Sequence, residues 1–81
     1  MKVQLLISES CVPCEQAEKV WCQVAVERAL DFSVINLAEP EGKRLADVLQ
    51  LRTIPAVLID GVLVAIGVQS LEEARVLISQ A

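Results

Sequence analysis

The 81-residue sequence predicts an α/β fold with the element order β-α-β-α-β-β-α, in which a four-stranded mixed sheet carries helices on both faces. Three observations predict this fold. Short apolar runs rich in β-branched residues alternate with longer segments of helical periodicity. An Asp60-Gly61 pair separates two apolar runs, and a Ser-x-x-Glu pattern precedes the last apolar stripe. We expect residues 1–81 to form one domain, because so short a chain has room for a single core.

The first half of the chain predicts two parallel strands joined by a helix. Residues 3–8 form a mostly apolar run typical of a buried strand. Residues 12–30 place their apolar side chains, Trp21 among them, on one face of a helix. Residues 32–37 follow as a β-branched strand. We expect the connection between the two strands to be right-handed.

The second half predicts a helix and then a hairpin. Residues 40–50 show a helical apolar stripe, and Pro40 suits the first turn of a helix. Residues 56–59 and 62–66 are two apolar runs separated by Asp-Gly, which favours the type I′ turn of an antiparallel hairpin. These runs therefore predict the third and fourth strands.

The last helix is predicted over residues 71–79. Ser70 and Glu73 have the spacing of a capping box, in which each side chain bonds the backbone N–H of the other. The chain contains one Trp and one Phe, so its core must be largely aliphatic, with Trp21 inside it.

Charge and hydropathy exclude some partners. Eleven acidic residues oppose seven basic ones, and the net charge is −4. Nucleic-acid binding is not expected, because affinity for phosphate backbones depends on clustered Lys and Arg. No apolar run approaches the roughly 20 residues that cross a bilayer, so we expect no membrane contact. The N-terminus lacks the pattern of a signal peptide, so we expect a cytoplasmic location.

The chemistry is concentrated in Cys11-Val12-Pro13-Cys14, between the first strand and the first helix. Cys11 falls at the helix N-terminus, where free N–H groups and the helix dipole favour negative charge and lower the pKa of its thiol. Cys14 lies one turn further on, close enough to form a disulfide. Pro13 fits the first turn, where its missing N–H would be unpaired anyway. This arrangement predicts dithiol–disulfide exchange, with no bound cofactor because the two thiols hold the electrons.

Other interpretations of the cysteines remain open. Zinc takes about four ligands, and the chain has no His and only one other thiol, Cys22. A metal or iron–sulfur cluster shared between two chains, or an inert pair in the core, would also fit the spacing. A strand followed by Cys-x-x-Cys at a helix start favours a redox pair over these alternatives.

These residues resemble the thioredoxin and glutaredoxin superfamily in a small, glutaredoxin-like form with a Cys-x-Pro-Cys motif. The resemblance extends over the whole chain. It depends on the cysteine motif after the first strand, Thr53-Ile54-Pro55 before the third strand, and Gly67 before the last helix. It implies a minimal thioredoxin fold, with a cis bond before Pro55 that turns the backbone of Ile54 toward an extended substrate.

The resemblance also implies a function and its site. Cys11 would be the nucleophile and Cys14 the resolving thiol of a protein-disulfide reductase. Electrons would come from a flavin disulfide reductase or a small thiol, and the protein would be a monomer or a weak dimer. The substrate would contact seven residues: Val12, Pro13, Thr53, Ile54, Pro55, Gly67 and Val68. A metal or iron–sulfur carrier and a redox-idle interaction module are the alternatives on this fold.

Two further features bear on these expectations. The carboxylates of Glu9, Glu15 and Glu18 crowd the cysteine motif, and like charge opposes thiolate formation, although we expect the helix end to prevail. Cys22 lies too far along the helix to reach Cys14. We expect it at the boundary of the core, with a reactive site or a dimer contact as the alternative.

Overall fold

The computed structural model describes residues 1–81 and confirms the predicted element order. The elements are β1 (Lys2–Ile7), α1 (Val12–Arg28), β2 (Asp31–Asn36), α2 (Pro40–Leu49), β3 (Ala56–Ile59), β4 (Val62–Ile66) and α3 (Leu71–Gln80). The strands form one mixed sheet in the order β2-β1-β3-β4. β1 runs parallel to β2 and antiparallel to β3, and β3 and β4 form an antiparallel hairpin.

The first two helices end where single residues adopt left-handed backbone. α1 stops at Arg28 rather than at residue 30, because Ala29 has a φ of 53° and its N–H donates to the Ala25 carbonyl oxygen. Gln50 ends α2 in the same way, with a φ of 54°. Apolar periodicity continues past the end of α1 through Leu30, which still packs against the core, so the periodicity alone extends the helix too far.

The sheet separates two hydrophobic layers, because alternate side chains of a strand point to opposite faces. Val3 and Leu5 of β1 pack with α1 and α3 on one face, where Trp21 is fully buried as predicted. Leu6 of β1 faces the other side and packs with a smaller cluster that includes Leu45 of α2. The predicted helices on both faces are therefore confirmed.

The strand register brings four segments to one end of the sheet. Ala56, at the start of β3, pairs with Leu6 of β1 and with Ile66 at the end of β4. Ile7, at the end of β1, pairs with Asn36 at the end of β2. The segments that join at this end are residues 8–11, 37–39, 50–55 and 67–70. The cysteine motif and the segments that contain Pro55 and Gly67, which were predicted to form the site, therefore lie at the same end of the sheet.

The hairpin turn has the predicted geometry. Asp60 and Gly61 both have positive φ, at 49° and 83°, as a type I′ turn requires. The Asp60 carboxylate also accepts a hydrogen bond of 2.8 Å from the Lys2 N–H. No helix in the chain is both long enough and apolar enough to span a bilayer.

Candidate active site

Cys11 is the N-cap residue of α1. Its backbone is extended, with φ −113° and ψ 103°, and its Sγ accepts a hydrogen bond of 3.2 Å from the Cys14 N–H. Ser, Thr, Asp or Asn usually provides this acceptor at a helix start. Here a sulfur atom takes the role, so any negative charge on it would face free N–H groups and the positive end of the helix.

Cys11 and Cys14 are joined by a disulfide, with their Cα atoms 5.1 Å apart. Cys14 is only 2% exposed, whereas Cys11 is half-buried and reachable from solvent. Pro13 lies in the first turn of α1, where no intrahelical hydrogen bond is lost. One sulfur is therefore presented at the surface, and the other lies beneath it.

A pocket of about 210 Å³ opens beside the two sulfurs. Three carboxylates line it, those of Glu9, Glu15 and Glu18, and none of its lining residues is basic. The ion pair of the chain joins two other residues, Arg75 and Glu27, so these three carboxylates have no cationic partner. No three His, Cys, Asp or Glu side chains are arranged to hold a metal ion.

Two larger depressions, of about 510 and 520 Å³, lie along α2 and along α3. Neither is lined by a cysteine, so we place the candidate site at the smaller pocket, where the reactive groups are.

Pro55 and Gly67 are directly connected. The Ile54–Pro55 peptide bond is cis, as the family resemblance implies. The buried Pro55 offers its carbonyl oxygen to the Gly67 N–H at 2.8 Å. Gly67 has a φ of 91°, a backbone region that favours glycine. This hydrogen bond makes the segment before β3 a neighbour of the segment after β4.

The residues predicted to contact substrate lie in three segments at this end of the sheet. Val12 is 64% exposed and Val68 is 43% exposed, although both are apolar. Pro13 and Thr53 are also exposed, and Ile54 is half-buried. Val12 follows Cys11 directly, and Val68 lies in a segment at the same end of the sheet, so both offer exposed apolar surface there. Substrate contact by these residues stays a prediction.

Gln69 belongs to the same region, although it is not among the site residues predicted from the sequence. Its side chain is 8% exposed, and its Oε1 accepts a hydrogen bond of 3.2 Å from Trp21 Nε1. Its Nε2 donates to the Ile66 carbonyl oxygen at 3.4 Å. A sequence clue existed, because the one indole N–H of the chain needs an acceptor once it is buried.

Cys22 is exposed and free. It lies further out than the boundary position we expected, because it follows buried Trp21 and is turned by about 100° from it around the helix. Val26, one turn further along α1, is 83% exposed. A role for Cys22 in reactivity or dimer contact stays a prediction.

The sequence pattern of the thioredoxin domain family matches residues 1–79. The chain therefore belongs to the thioredoxin domain family. Together with the neighbouring Cys11–Cys14 pair, this membership supports the class of thiol–disulfide oxidoreductases. Among curated protein sequences, none matches the chain.

Solved structures show the same fold. Thioredoxin f2 from Chlamydomonas reinhardtii has a TM-score of 0.75 and 21% identity, covering 98% of this chain and 76% of that one. A variant thioredoxin from Halobacterium salinarum has a TM-score of 0.78 and 23% identity, covering 98% of this chain and 72% of that one. NrdH-redoxin from Escherichia coli, a glutaredoxin-like protein, has a TM-score of 0.66 and 21% identity, covering 93% of each chain. At these identities the likeness shows the thioredoxin fold.

Proposed function

We propose that this protein reduces disulfides in other proteins by dithiol exchange through Cys11 and Cys14. The observation that carries the proposal is the position of Cys11 Sγ at the start of α1, where it accepts the Cys14 N–H at 3.2 Å and reaches Cys14 Sγ. The thiolate is the nucleophilic form of cysteine, and a helix N-terminus stabilises it.

In the first step, the thiolate of reduced Cys11 attacks one sulfur of a substrate disulfide. The substrate S–S bond breaks, and the departing sulfur leaves as a thiolate that takes a proton from water. Cys11 is then joined to the substrate in a mixed disulfide. The partial exposure of Cys11 supports its role as the attacking residue.

In the second step, Cys14 loses its proton and attacks Cys11 Sγ. The bond to the substrate breaks, the second substrate sulfur leaves as a thiol after protonation, and the Cys11–Cys14 disulfide forms. Two electrons have then passed to the substrate. The burial of Cys14 supports this order, because a large substrate cannot reach its sulfur directly.

We propose that an extended substrate segment lies on the apolar rim beside Cys11. The backbone of Ile54 would pair with it as an added strand does, and the exposed valines would contact its side chains. We call this surface the docking rim. Val12, Pro13, Thr53, Ile54, Gly67 and Val68 form it, and the buried Pro55 supports it from beneath. The 2.8 Å hydrogen bond between Gly67 and Pro55 joins the segment before β3 to the segment after β4, which supports treating the two segments as one surface.

The cycle closes when a reductant returns two electrons to the Cys11–Cys14 disulfide. A dithiol can do so by the same exchange in reverse, and a flavin disulfide reductase can do so through its own thiol pair. The two sulfurs carry both electrons, so the proposed cycle uses no resident cofactor.

An insulin-reduction assay with dithiothreitol as reductant tests the proposal. The wild-type protein should accelerate precipitation of the insulin B chain, and Cys11→Ser should reduce the rate to that of dithiothreitol alone. Cys22→Ser is the matched control, because it removes the exposed thiol outside the pair and should match wild type. Equal rates for wild type and Cys11→Ser would refute catalysis by this pair.

A further inference from the structure

We infer that Gln69 is a positioning residue for the docking rim: its side-chain amide holds the Gly67–Val68 segment in place by tying it to α1. The inference rests on the proposed function and concerns substrates large enough to contact the rim. Gln69 hydrogen-bonds neither sulfur, and its partners are Trp21 and Ile66, so we expect its effect to pass through the segment it holds.

Gln69 is one of two buried polar side chains in the chain, and the other is Gln4. A buried amide that loses its partners is destabilising, so its hydrogen bonds select one conformation of the neighbouring backbone. Both ends of the Gln69 amide are used, one by the indole of Trp21 and one by the carbonyl of Ile66.

These bonds fix Val68 from both sides. Before it, the Gly67 N–H is held by the Pro55 carbonyl oxygen at 2.8 Å. After it, Gln69 turns inward and also closes the segment onto the carbonyl of Ile66. Val68 itself remains 43% exposed and is not part of either core cluster. The position of this rim residue therefore depends on its two neighbours.

The bond to Trp21 also sets the segment relative to the nucleophile. Trp21 is fully buried in the core layer with Ala17 and Val24, so its indole is a fixed point of α1. Cys11 caps the same helix. The bond to Trp21 thus fixes the position of the Gly67–Val68 segment relative to α1, the helix that Cys11 caps. Without that bond, Gly67 and Val68 can shift relative to Cys11.

Gln69→Met tests the inference, because it keeps the length of the side chain and removes both hydrogen bonds. Prereduced protein is mixed with insulin or with bis(2-hydroxyethyl) disulfide, and oxidation of the pair is followed by alkylation and mass spectrometry. We expect the rate constant for insulin to fall about fivefold, because one of the two lost bonds, that to Trp21, ties the segment to α1. The rate constant for the small disulfide, which does not need the rim, should stay within about twofold of wild type.

Gln4→Met is the matched control. Gln4 is as buried as Gln69, but it lies on β1 beside Leu58, away from the end of the sheet that carries Cys11. It should leave both rate constants at their wild-type values. An unchanged insulin rate in Gln69→Met, or an equal fall for both disulfides, would overturn the inference and leave the proposed function standing.

Trp21→Phe provides a second, independent variant, because it removes the Nε1 donor and keeps most of the ring. It should lower the insulin rate as Gln69→Met does, and it serves alone if Gln69→Met does not fold. The double variant should be no slower than the slower single variant, since the two substitutions remove the same Trp21–Gln69 hydrogen bond. Fully additive losses would overturn the inference. Failure of wild type on both disulfides would overturn the proposed function itself.

Discussion

The N–H of Cys14 donates a hydrogen bond to Sγ of Cys11 across 3.2 Å. The two cysteines of the motif are thus linked through helix capping as well as through their disulfide. The sulfur that caps α1 is also the sulfur that we propose attacks the substrate. Capping of α1 and attack on the substrate therefore depend on the same sulfur atom. Different substitutions of Cys11 can separate these two roles.

Cys11→Ser and Cys11→Ala should differ in stability although both lack the nucleophile. Serine retains an acceptor for the Cys14 N–H, whereas alanine does not, and loss of an N-cap acceptor costs about 1 kcal/mol. Urea unfolding under reducing conditions should therefore show Cys11→Ala to be less stable by about that amount. Equal unfolding midpoints would show that the side chain at this position does not cap α1.

The carboxylates around the pocket should make the reaction sensitive to substrate charge. Cationic cystamine should react faster than anionic 3,3′-dithiodipropionate, by about thirtyfold at low ionic strength. This estimate takes a charge interaction of about 1 kcal/mol in water for each compound. Rates are normalised to those of dithiothreitol with the same disulfides, and neutral bis(2-hydroxyethyl) disulfide should fall between the two.

The matched variant for this experiment replaces the three pocket carboxylates by amides, in Glu9→Gln, Glu15→Gln and Glu18→Gln together. The preference for the cationic disulfide should disappear in this variant, and high salt should weaken it in wild type. A preference that survives both changes cannot come from these side chains.

Gly42→Ala should destabilise the protein even though alanine is the better helix former. Gly42 lies in α2, and a Cβ built there would collide with the carbonyl oxygen of Asn36 at the end of β2. The gain in helix propensity is about 1 kcal/mol. Overpacking costs about 1–3 kcal/mol, and we expect about 2–3 kcal/mol here because the clash is with backbone, so the net loss in urea unfolding should be about 1–2 kcal/mol.

Lys43→Ala is the control for that substitution, because Lys43 is the next residue of α2 and is exposed. It should leave the free energy of unfolding close to wild type. A Gly42→Ala variant as stable as wild type would show that β2 and α2 can separate without cost.

The ion pair between α1 and α3 should stabilise the fold in a pH-dependent way. Arg75 hydrogen-bonds Glu27 at 2.7 and 3.0 Å, and this bond lowers the pKa of Glu27 below its usual range. A carboxyl with a lowered pKa contributes stability above its unfolded-state pKa, and the contribution is lost as the pH falls through the folded-state pKa. Both side chains are partly exposed, so the effect is small and sensitive to salt.

Melting temperatures of wild type and Glu27→Gln test this at about pH 7 and about pH 2. Wild type should melt slightly higher at the neutral pH, and the difference should vanish in acid. Arg44→Gln removes an arginine without an ion pair and should show no such pH-dependent difference. A difference that persists in acid would mean that Glu27 acts through packing.

The fold could be predicted from the sequence because each element carries a local pattern. The capping box at Ser70 and Glu73 and the positive-φ turn at Asp60 and Gly61 involve only neighbouring residues, and both are present in the structure. The ends of α1 and α2 were less predictable. Ala29 and Gln50 adopt left-handed backbone without being glycine, and no local pattern indicates this.

The site could be predicted in part. Cys11 and Cys14 are three residues apart, so helix geometry alone brings them together. The bond between Trp21 and Gln69 joins residues 48 positions apart, and it depends on how α3 follows the hairpin onto α1. The backbone contact that makes Gly42 necessary likewise exists only once α2 packs beside the end of β2. Such contacts arise only in the assembled tertiary structure, and no local pattern in the sequence indicates them.

The most direct test of the proposed function is a redox titration of the Cys11–Cys14 pair against a series of thiol–disulfide buffers, followed by alkylation and mass spectrometry of each cysteine. The proposal predicts one reversible two-electron transition confined to these two residues, with the ratio of reduced to oxidised protein changing tenfold for about every 30 mV. Absence of a reversible Cys11–Cys14 disulfide at every buffer ratio would contradict it.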